Sequence, residues 1–583
     1  MPLVRTLFPT LLVAVACSTP SPRPAQPPAH DLRAALRRLT VIGINDVHGA
    51  LLAAPPGRSL SGWTSDPVGG VDWLAGWMEA IRREAHDRGG EALLVDAGDE
   101  LQGSLISNQF HGRSVVDAFN ALGVAAAAVG NHEFDFGLPV LLERIEQARY
   151  PLLAANVFRA GTRQRPPWAV PSALLDVGGV KVGIVGLATV DTPTVTNPLV
   201  VAGFDFVPGG PVAAAEADAL RARGATVVIV TAHAGPFPPS HEIQHIAEAV
   251  AGKVDVIVSG HHHTTIGPPP LVVAGIPIVQ AGTKLQYFSI VELDLDESGR
   301  VRGSAVNEGT SPKPGGPQAI FHSVHGRPPE WRGRKVTADP GLAALVARYD
   351  EQVRTLRETR IGSTEVDLRK GKDGSLGNLV ADALRSGAGG GLRAEFALQN
   401  SGGLRVAEVP AGPITFGQIF DLYPFDNLQV VVQVPATAIR DALETVLREG
   451  KLPLQVSGLR YTIDWDRFAD LGADRRAWPA GALVTELTDD SGKPLCRTRS
   501  CSPAACEASC AAGSHAVSVS DFLANGGDGL AMLKDAPRQV GSVLTRDIVM
   551  SYVKQHDPIT GALVDSGRPR VQVNGTPLRA QAE

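Results

Sequence analysis

Aromatic residues are scarce in this chain of 583 residues: Phe, Trp and Tyr together make up 5% of it. Any site that binds by ring stacking is therefore small and local. Cysteine is scarcer, at five. Four of them, Cys496, Cys501, Cys506 and Cys510, share one short Ser/Ala-rich segment. No two are spaced as a C-x2-C zinc knuckle, so the segment reads as a structural loop stapled by two disulfides. Three connectivities remain open for four cysteines. Lys and Arg (54) do not outnumber Asp and Glu (60), and the formal net charge is -6. That excludes the broad basic surface of a protein that binds nucleic-acid polymers. Beyond the N-terminus, no apolar run is long enough to cross a bilayer.

What is present is a globular composition, 44% hydrophobic and 20% charged, on a chain too long for a single core. Residues 1–16 read as a signal peptide: Arg5 is the positive flank and Leu7–Ala16 the short apolar stretch. It ends in Ala14-Val15-Ala16-Cys17, which resembles a bacterial lipoprotein signal with Cys17 as the lipidated residue. Ala14 stands where such signals usually carry Leu, and a plain secretory signal is the alternative. Residues 17–38 are Pro-rich and read as an extended tether. The expectation is an exported protein, periplasmic or at the cell surface, with a possible lipid anchor on Cys17.

Residues 39–300 alternate apolar runs with helical patterns. Leu39–Ile44, Ala92–Asp96, Lys181–Leu187, Ala225–Thr231, Val254–Ser259 and Ile276–Gln280 are continuous rather than alternating runs, the mark of strands buried on both faces. Val71–Arg83 and Ser114–Leu122 read as helices between them. The pattern predicts an α/β layered fold, in which functional residues gather at the carboxyl ends of strands. Residues 301–358 read as a Gly-, Pro- and Arg-rich linker followed by a connecting helix. That helix carries Leu342, Leu345, Val346, Tyr349, Val353 and Leu356 at helical spacing. A second α/β domain spans residues 359–575, with a helix over Gly377–Leu384, strands at Phe396–Gln399 and Gln429–Val434, and a helix over Ala436–Arg448.

Five short clusters stand just past or between these runs: Asp46-Val47-His48, Gly98-Asp99, Gly130-Asn131-His132-Glu133, Ala232-His233 and Gly260-His261-His262-His263. Two divalent cations need about eight to ten ligand contacts, and a carboxylate can serve both. Asp99, beside Gly98, is the candidate bridge, since its two oxygens can face two ions. Asp46 with His48, and His261 with His263, are each two apart and can converge on one ion. Asn131 offers a neutral oxygen and His233 a nitrogen. Each cluster alone is weak; five in order at strand ends point to metal-assisted hydrolysis of a phosphate ester.

The strings Asn45-Asp46-Val47-His48-Gly49, Asp96-Ala97-Gly98-Asp99 followed by Gln102-Gly103-Ser104, Gly130-Asn131-His132-Glu133-Phe134-Asp135-Phe136-Gly137, Ala232-His233 and Gly260-His261-x-His263 resemble the calcineurin-like metallophosphoesterases. The longer match is to the 5'-nucleotidase family, which includes ecto-5'-nucleotidases and periplasmic UDP-sugar hydrolases, and it covers nearly the whole mature chain. The resemblance implies a four-layer αββα catalytic sandwich followed by an α/β nucleotide-binding domain. It implies one metal on Asp46, His48, Asp99 and His263, and a second on Asp99, Asn131, His233 and His261. The mixed N/O set suits Zn, Mn, Co or Fe equally. His132, oriented by Asp135, would stabilise the transition state as metal-bound hydroxide attacks in line. No role falls to His262.

In the second domain, Asn400-Ser401-Gly402-Gly403-Leu404-Arg405, Tyr423-Pro424-Phe425 and Phe522-Leu523-Ala524-Asn525-Gly526-Gly527-Asp528 also resemble that family. They imply that Phe425 and Phe522 sandwich a base, that Asn400 and Asp528 bond the ribose or base, and that Arg405 meets phosphate. Gly403 would let the backbone approach the ligand. Lys370 and Lys372 stand where relatives carry Arg, which keeps charge but loses bidentate geometry. The expected substrate is a nucleotide or nucleotide sugar, with 5'-nucleotidase activity first; UDP-sugar hydrolysis and 2',3'-cyclic-nucleotide cleavage are the alternatives, with a non-catalytic nucleotide-binding lipoprotein ranked below them.

Overall fold

The structure is a computed structural model that describes residues 38–54, 57–59, 62–64, 67–237, 241–302, 318–323, 329–466, 478–501, 506–565 and 567–574. The stretch read as a signal peptide, nearly all of the stretch read as a tether including Cys17, and most of the 303–328 stretch lie outside these residues.

Two six-stranded sheets pack face to face in the first half. One runs in the order 318–323, 287–294, 38–44, 91–96, 124–128, 152–153. Its centre is parallel, Arg38–Ile44 beside Glu91–Asp96 beside Val124–Ala128. The other runs 265–273, 276–281, 256–259, 227–232, 180–187, 172–177, again with parallel central strands. The alternation of side chains along each strand explains the continuous apolar runs. Leu39, Val41, Leu93 and Val95 meet Val182, Ile184, Val227 and Ile229 between the sheets. Their neighbours Ile42, Ile44 and Leu94 face the helices Val71–Asp87 and Arg113–Leu122. Val185, Leu187, Val228 and Val230 pack under Gly209–Ala222 and Glu242–Ala249. The result is four layers, helix–sheet–sheet–helix, with each buried Val, Ile or Leu contributing about 1.5–3 kcal/mol.

The second half holds two five-stranded sheets and two further cores. The strands Phe396–Gln399 and Leu428–Pro435 and the helices Ser375–Ser386 and Ala436–Arg448 stand where the pattern put them.

Two stretches differ from their composition. Gln318–Ser323, inside the Gly/Pro/Arg-rich linker, is a strand paired with Tyr287–Asp294 at the edge of the first sheet. The connecting helix Pro340–Glu358 buries Leu342, Val346 and Val353 in the core of the first half, while Leu356 stays exposed. The cysteine segment is not a loop: Pro494–Cys501 and Cys506–Cys510 pair as an antiparallel hairpin with Cys496 opposite Cys510. Cys496 and Cys510 form a disulfide. Cross-strand neighbours satisfy the geometry a disulfide needs, and Ser and Ala are short enough to hide a strand signal.

Candidate metal centre and substrate cleft

The metal-ligand candidates sit on loops that leave parallel strands of both sheets at their carboxyl ends. Asp46 follows Ile44, Asp99 follows Asp96, Asn131 follows Ala128, His233 follows Ala232 and His261 follows Ser259. The loops are tight. Asp46, His48, Asp99, His261 and His263 all have positive φ, between 50° and 78°. Non-glycine residues rarely adopt this region, and it persists where surroundings over-determine it. Gly130 leaves room for one of these turns: a Cβ there would lie 2.3 Å from Asp99 Oδ1 and 2.5 Å from Asp99 N.

Two groups form. Asp46, His48, Asp99 and His263 bring one ligand atom each within 4.8 Å of one another, as do Asp99, His233 and His261. Asp99 belongs to both. Asn131 joins the second group through Oδ1, 3.1 Å from His233 Nε2. One expectation changes here. Asp99 does not offer an oxygen to each side: Oδ1 accepts the His132 backbone N–H at 2.9 Å. Oδ2 faces both groups, 3.1 Å from His233 Nε2 and 3.8 Å from His48 Nε2. His262 stays out of both groups; its Nδ1 accepts the Phe237 N–H at 3.5 Å.

Main-chain carbonyls set the histidine tautomers. His48 Nδ1 donates to Gln102 O at 2.9 Å and His233 Nδ1 to Ala97 O at 2.8 Å. In the neutral ring each Nε2 keeps a lone pair, the outer-sphere arrangement that orients a metal ligand. His48 Nε2 then lies 2.9 Å from His263 Nε2, and His233 Nε2 lies 3.2 Å from His261 Nδ1. Nitrogen pairs this close need a cation or a shared proton between them. Burial holds His48 and His261 well below the usual imidazole range, helped by Arg405 and His233 respectively. Burial also acts to lower His233, but the Asp99 carboxylate overrides it and pushes the ring to about 10. Buried carboxylates that demand positive charge beside imidazoles that stay neutral fit divalent metal ions as the missing charge.

Glu133 holds the ligand loops in place. Its carboxylate accepts four backbone N–H groups, from Asp99 (2.9 Å), Gly130 (2.7 Å), Glu100 (2.7 Å) and Leu101 (3.2 Å). The residue lies within a recognised string, but only the fold brings those four amides to one carboxylate. His132 and Asp135 meet as expected: His132 Nδ1 to Asp135 Oδ2 is 2.7 Å, and Thr196 Oγ1 donates to Asp135 Oδ1 at 2.7 Å. Burial opposes the charged ring, yet Asp135 and then Asp99 raise the His132 pKa above its ordinary value.

The second half closes over this centre. Arg405 Nη2 stands 2.9 Å from His48 Nε2, on the lone pair a metal ion would take, which would release the guanidinium for an anionic oxygen. The half-buried Phe425 ring lies 5.7 Å from the His132 ring, with Arg405 Cζ 5.8 Å from its centroid. Pro424 O accepts from two catalytic-half side chains, Gln102 Nε2 at 3.2 Å and Asn108 Nδ2 at 2.8 Å. Lys370 Nζ donates to Leu404 O at 3.0 Å, and burial, with Arg405 and Lys284, brings its pKa down to about 8. Asp528 is held by Asn400 Nδ2 at 2.6 Å and by Lys451 Nζ at 2.5 Å; Lys451 carries no motif. Phe522 is half-buried against Gly527, where a Cβ would meet its ring at 2.4 Å. Gly403 is required by its own neighbours, since a Cβ there would meet Gln399 Nε2 at 2.6 Å and Asn400 Oδ1 at 2.8 Å.

Comparison with known proteins agrees with this architecture. Residues 39–265 match the calcineurin-like phosphoesterase family model, and residues 354–505 match the 5'-nucleotidase C-terminal domain. The chain is 28% identical over 576 residues to snake venom 5'-nucleotidase from Naja atra, covering 90% of this chain and 97% of that one. It is 29% identical over 541 residues to the 5'-nucleotidase of Homo sapiens, covering 85% and 84%. Among solved structures, the 5'-nucleotidase precursor of Thermus thermophilus superposes with TM-score 0.72 at 28% identity, covering 93% of this chain and all of that one. Two ordered ligand groups on an αββα sandwich, followed by the matching C-terminal domain, make the chain similar to the 5'-nucleotidases over most of its length and mark it as a metal-dependent hydrolase.

Proposed function

We propose that this chain is an exported phosphohydrolase with a dinuclear metal centre that removes phosphate from nucleotides. The observation that carries the reading is Asp99: one carboxylate belongs to both ligand groups, and the cleft above it is lined from the other half by Arg405 and Phe425. Asp46, His48, Asp99 and His263 would hold one ion, and Asp99, Asn131, His233 and His261 the other. Bound there, two divalent ions would lower the pKa of water and hold the phosphoryl oxygens.

The chain's own residues do the rest. His132, whose protonated form Asp135 favours, would supply a cation whose attraction grows as charge builds on the phosphoryl group. Arg405 donates a planar fork to phosphate, and Lys370 adds a second charge behind it. Phe425 and Phe522 present apolar faces for a base, and Asp528 and Asn400 offer polar atoms for the ribose or base. Export is supported by the apolar stretch ahead of Cys17 and by the Cys496–Cys510 disulfide, a bond that persists in oxidising compartments.

A panel of AMP, UDP-glucose, 2',3'-cyclic AMP and p-nitrophenyl phosphate, run with and without chelator, tests the reading. AMP should give the highest kcat/KM and lose it on chelation. Preference for UDP-glucose or the cyclic nucleotide would reassign the substrate, and chelator-resistant turnover would reject the metal mechanism.

A further inference from the structure

The loop after the strand Ile276–Ala281 carries a lysine that belongs to no motif. Lys284 has φ 54° and the following Leu285 φ 53°, two left-handed residues in succession, a costly arrangement away from glycine. The turn is fastened to the metal loop: the Lys284 N–H and the Thr283 hydroxyl both donate to Asp46 O, each at 2.8 Å. From this fixed base the side chain crosses to the other half, where Nζ donates to Arg405 O at 3.2 Å. Lys370 does the same to the preceding carbonyl from the far side, Nζ to Leu404 O at 3.0 Å. The Leu404–Arg405 segment is thus gripped by two ammonium groups, one from each half of the molecule.

We propose that Lys284 is a positioning residue: it grips the Arg405 carbonyl from the catalytic half and so holds the Arg405 guanidinium over the metal centre. A charged donor on a main-chain carbonyl fixes the φ/ψ of that residue and hence the root of its side chain. Arg405 has a long, rotamer-rich side chain, and an arginine fork gains from its geometry only when it is preorganised. The contact exists only while the two halves are together, so anion binding by Arg405 and closure of the cleft become one event. This inference rests on the reading of Arg405 as a phosphate ligand, not on which nucleotide is hydrolysed.

The test is a double-mutant cycle on the full, metal-loaded chain. Lys284→Met keeps the stem and removes the donor, Lys284→Arg restores a donor, and Arg405→Ala removes the guanidinium. Two readouts are taken: Kd for inorganic phosphate by calorimetry, and KM and kcat for AMP. Lys284→Met should weaken phosphate binding and raise KM for AMP by about tenfold, with kcat much less affected and metal content unchanged. Lys284→Arg should recover most of the loss. In the Arg405→Ala background, Lys284→Met should have no further effect, because coupled residues are not additive. A full additional loss in that background, wild-type binding in Lys284→Met, or loss of bound metal would each overturn the assignment. If wild-type protein binds phosphate but leaves AMP intact, the nucleotide reading fails while the phosphate cycle still decides the role of Lys284.

Discussion

His48 and His233 are built alike: each gives its Nδ1–H to a main-chain carbonyl and turns Nε2 toward Asp99 Oδ2. His132 is built the opposite way. Its Nδ1 is bound by the Asp135 carboxylate, and its pKa rises where those of His48 and His261 fall. Asp135 therefore favours a charged ring at His132 beside the neutral rings of His48 and His261, while Asp99, which faces His233, raises that ring as well. The sign of the pH effect follows. Asp135 holds the proton on His132 to higher pH, so activity is lost as pH climbs through the raised value. In Asp135→Asn the alkaline limb of kcat, measured on the metal-loaded enzyme, should move to lower pH; an unmoved limb would remove His132 from the rate. The His132–Asp135 contact is legible in the sequence because three residues along a turn bring side chains together. The four amides held by Glu133 are not, since they come from two loops separated in the chain by two helices and one strand. Lys284 has a faint signal of its own, because it stands three residues past a strand end, as Asp99 does; but lysine is no metal ligand, so a ligand pattern passes over it.

Loops at strand ends carry the chemistry because the strands do not move. Central strands buried on both faces lock the positions of five left-handed ligand residues, and glycines admit the tight approach between loops. Gly130→Ala tests this at the level of the element. Its Cβ would press on Asp99 Oδ1 and on the Asp99 backbone, neither of which can swing aside without moving the carboxylate that the two groups share. Displacements of about 1 Å at a reacting centre cost about 10²-fold in rate. The variant should remain folded, bind metal more weakly and lose at least that much kcat; metal content and rate equal to wild type would show that the loop tolerates the shift. The central strands can be read from sequence because burial on both faces leaves long apolar runs. The edge strand at Gln318–Ser323 and the cysteine hairpin escape such a reading. An edge strand pairs on one side only, and the cysteine hairpin lies at the edge of a five-stranded sheet, with Arg, Thr, Ser, Glu and Ala between its cysteines rather than an apolar run.

The two halves are also one machine. The core of the first half takes in Phe420 from the helix Phe416–Leu422, with Phe416 packed against it. Gln102 and Asn108 bond Pro424 O across the cleft, and Arg405 reaches His48. None of these contacts joins residues close in sequence, so the motifs name the participants without their meeting. The connecting helix Pro340–Glu358 packs into the first core and also against the helix Phe416–Leu422 of the second half, so it ties the two halves together. The central claim, however, is the shared centre beneath the cleft. Metal stoichiometry of the purified chain, measured together with AMP turnover in wild type and Asp99→Ala, tests it most directly. The account predicts two divalent ions per wild-type chain, turnover abolished by chelation and restored by metal, and loss of both ions' tight binding and of turnover in Asp99→Ala. AMP hydrolysis by metal-free protein, or an Asp99→Ala variant that keeps two ions and wild-type turnover, would contradict it.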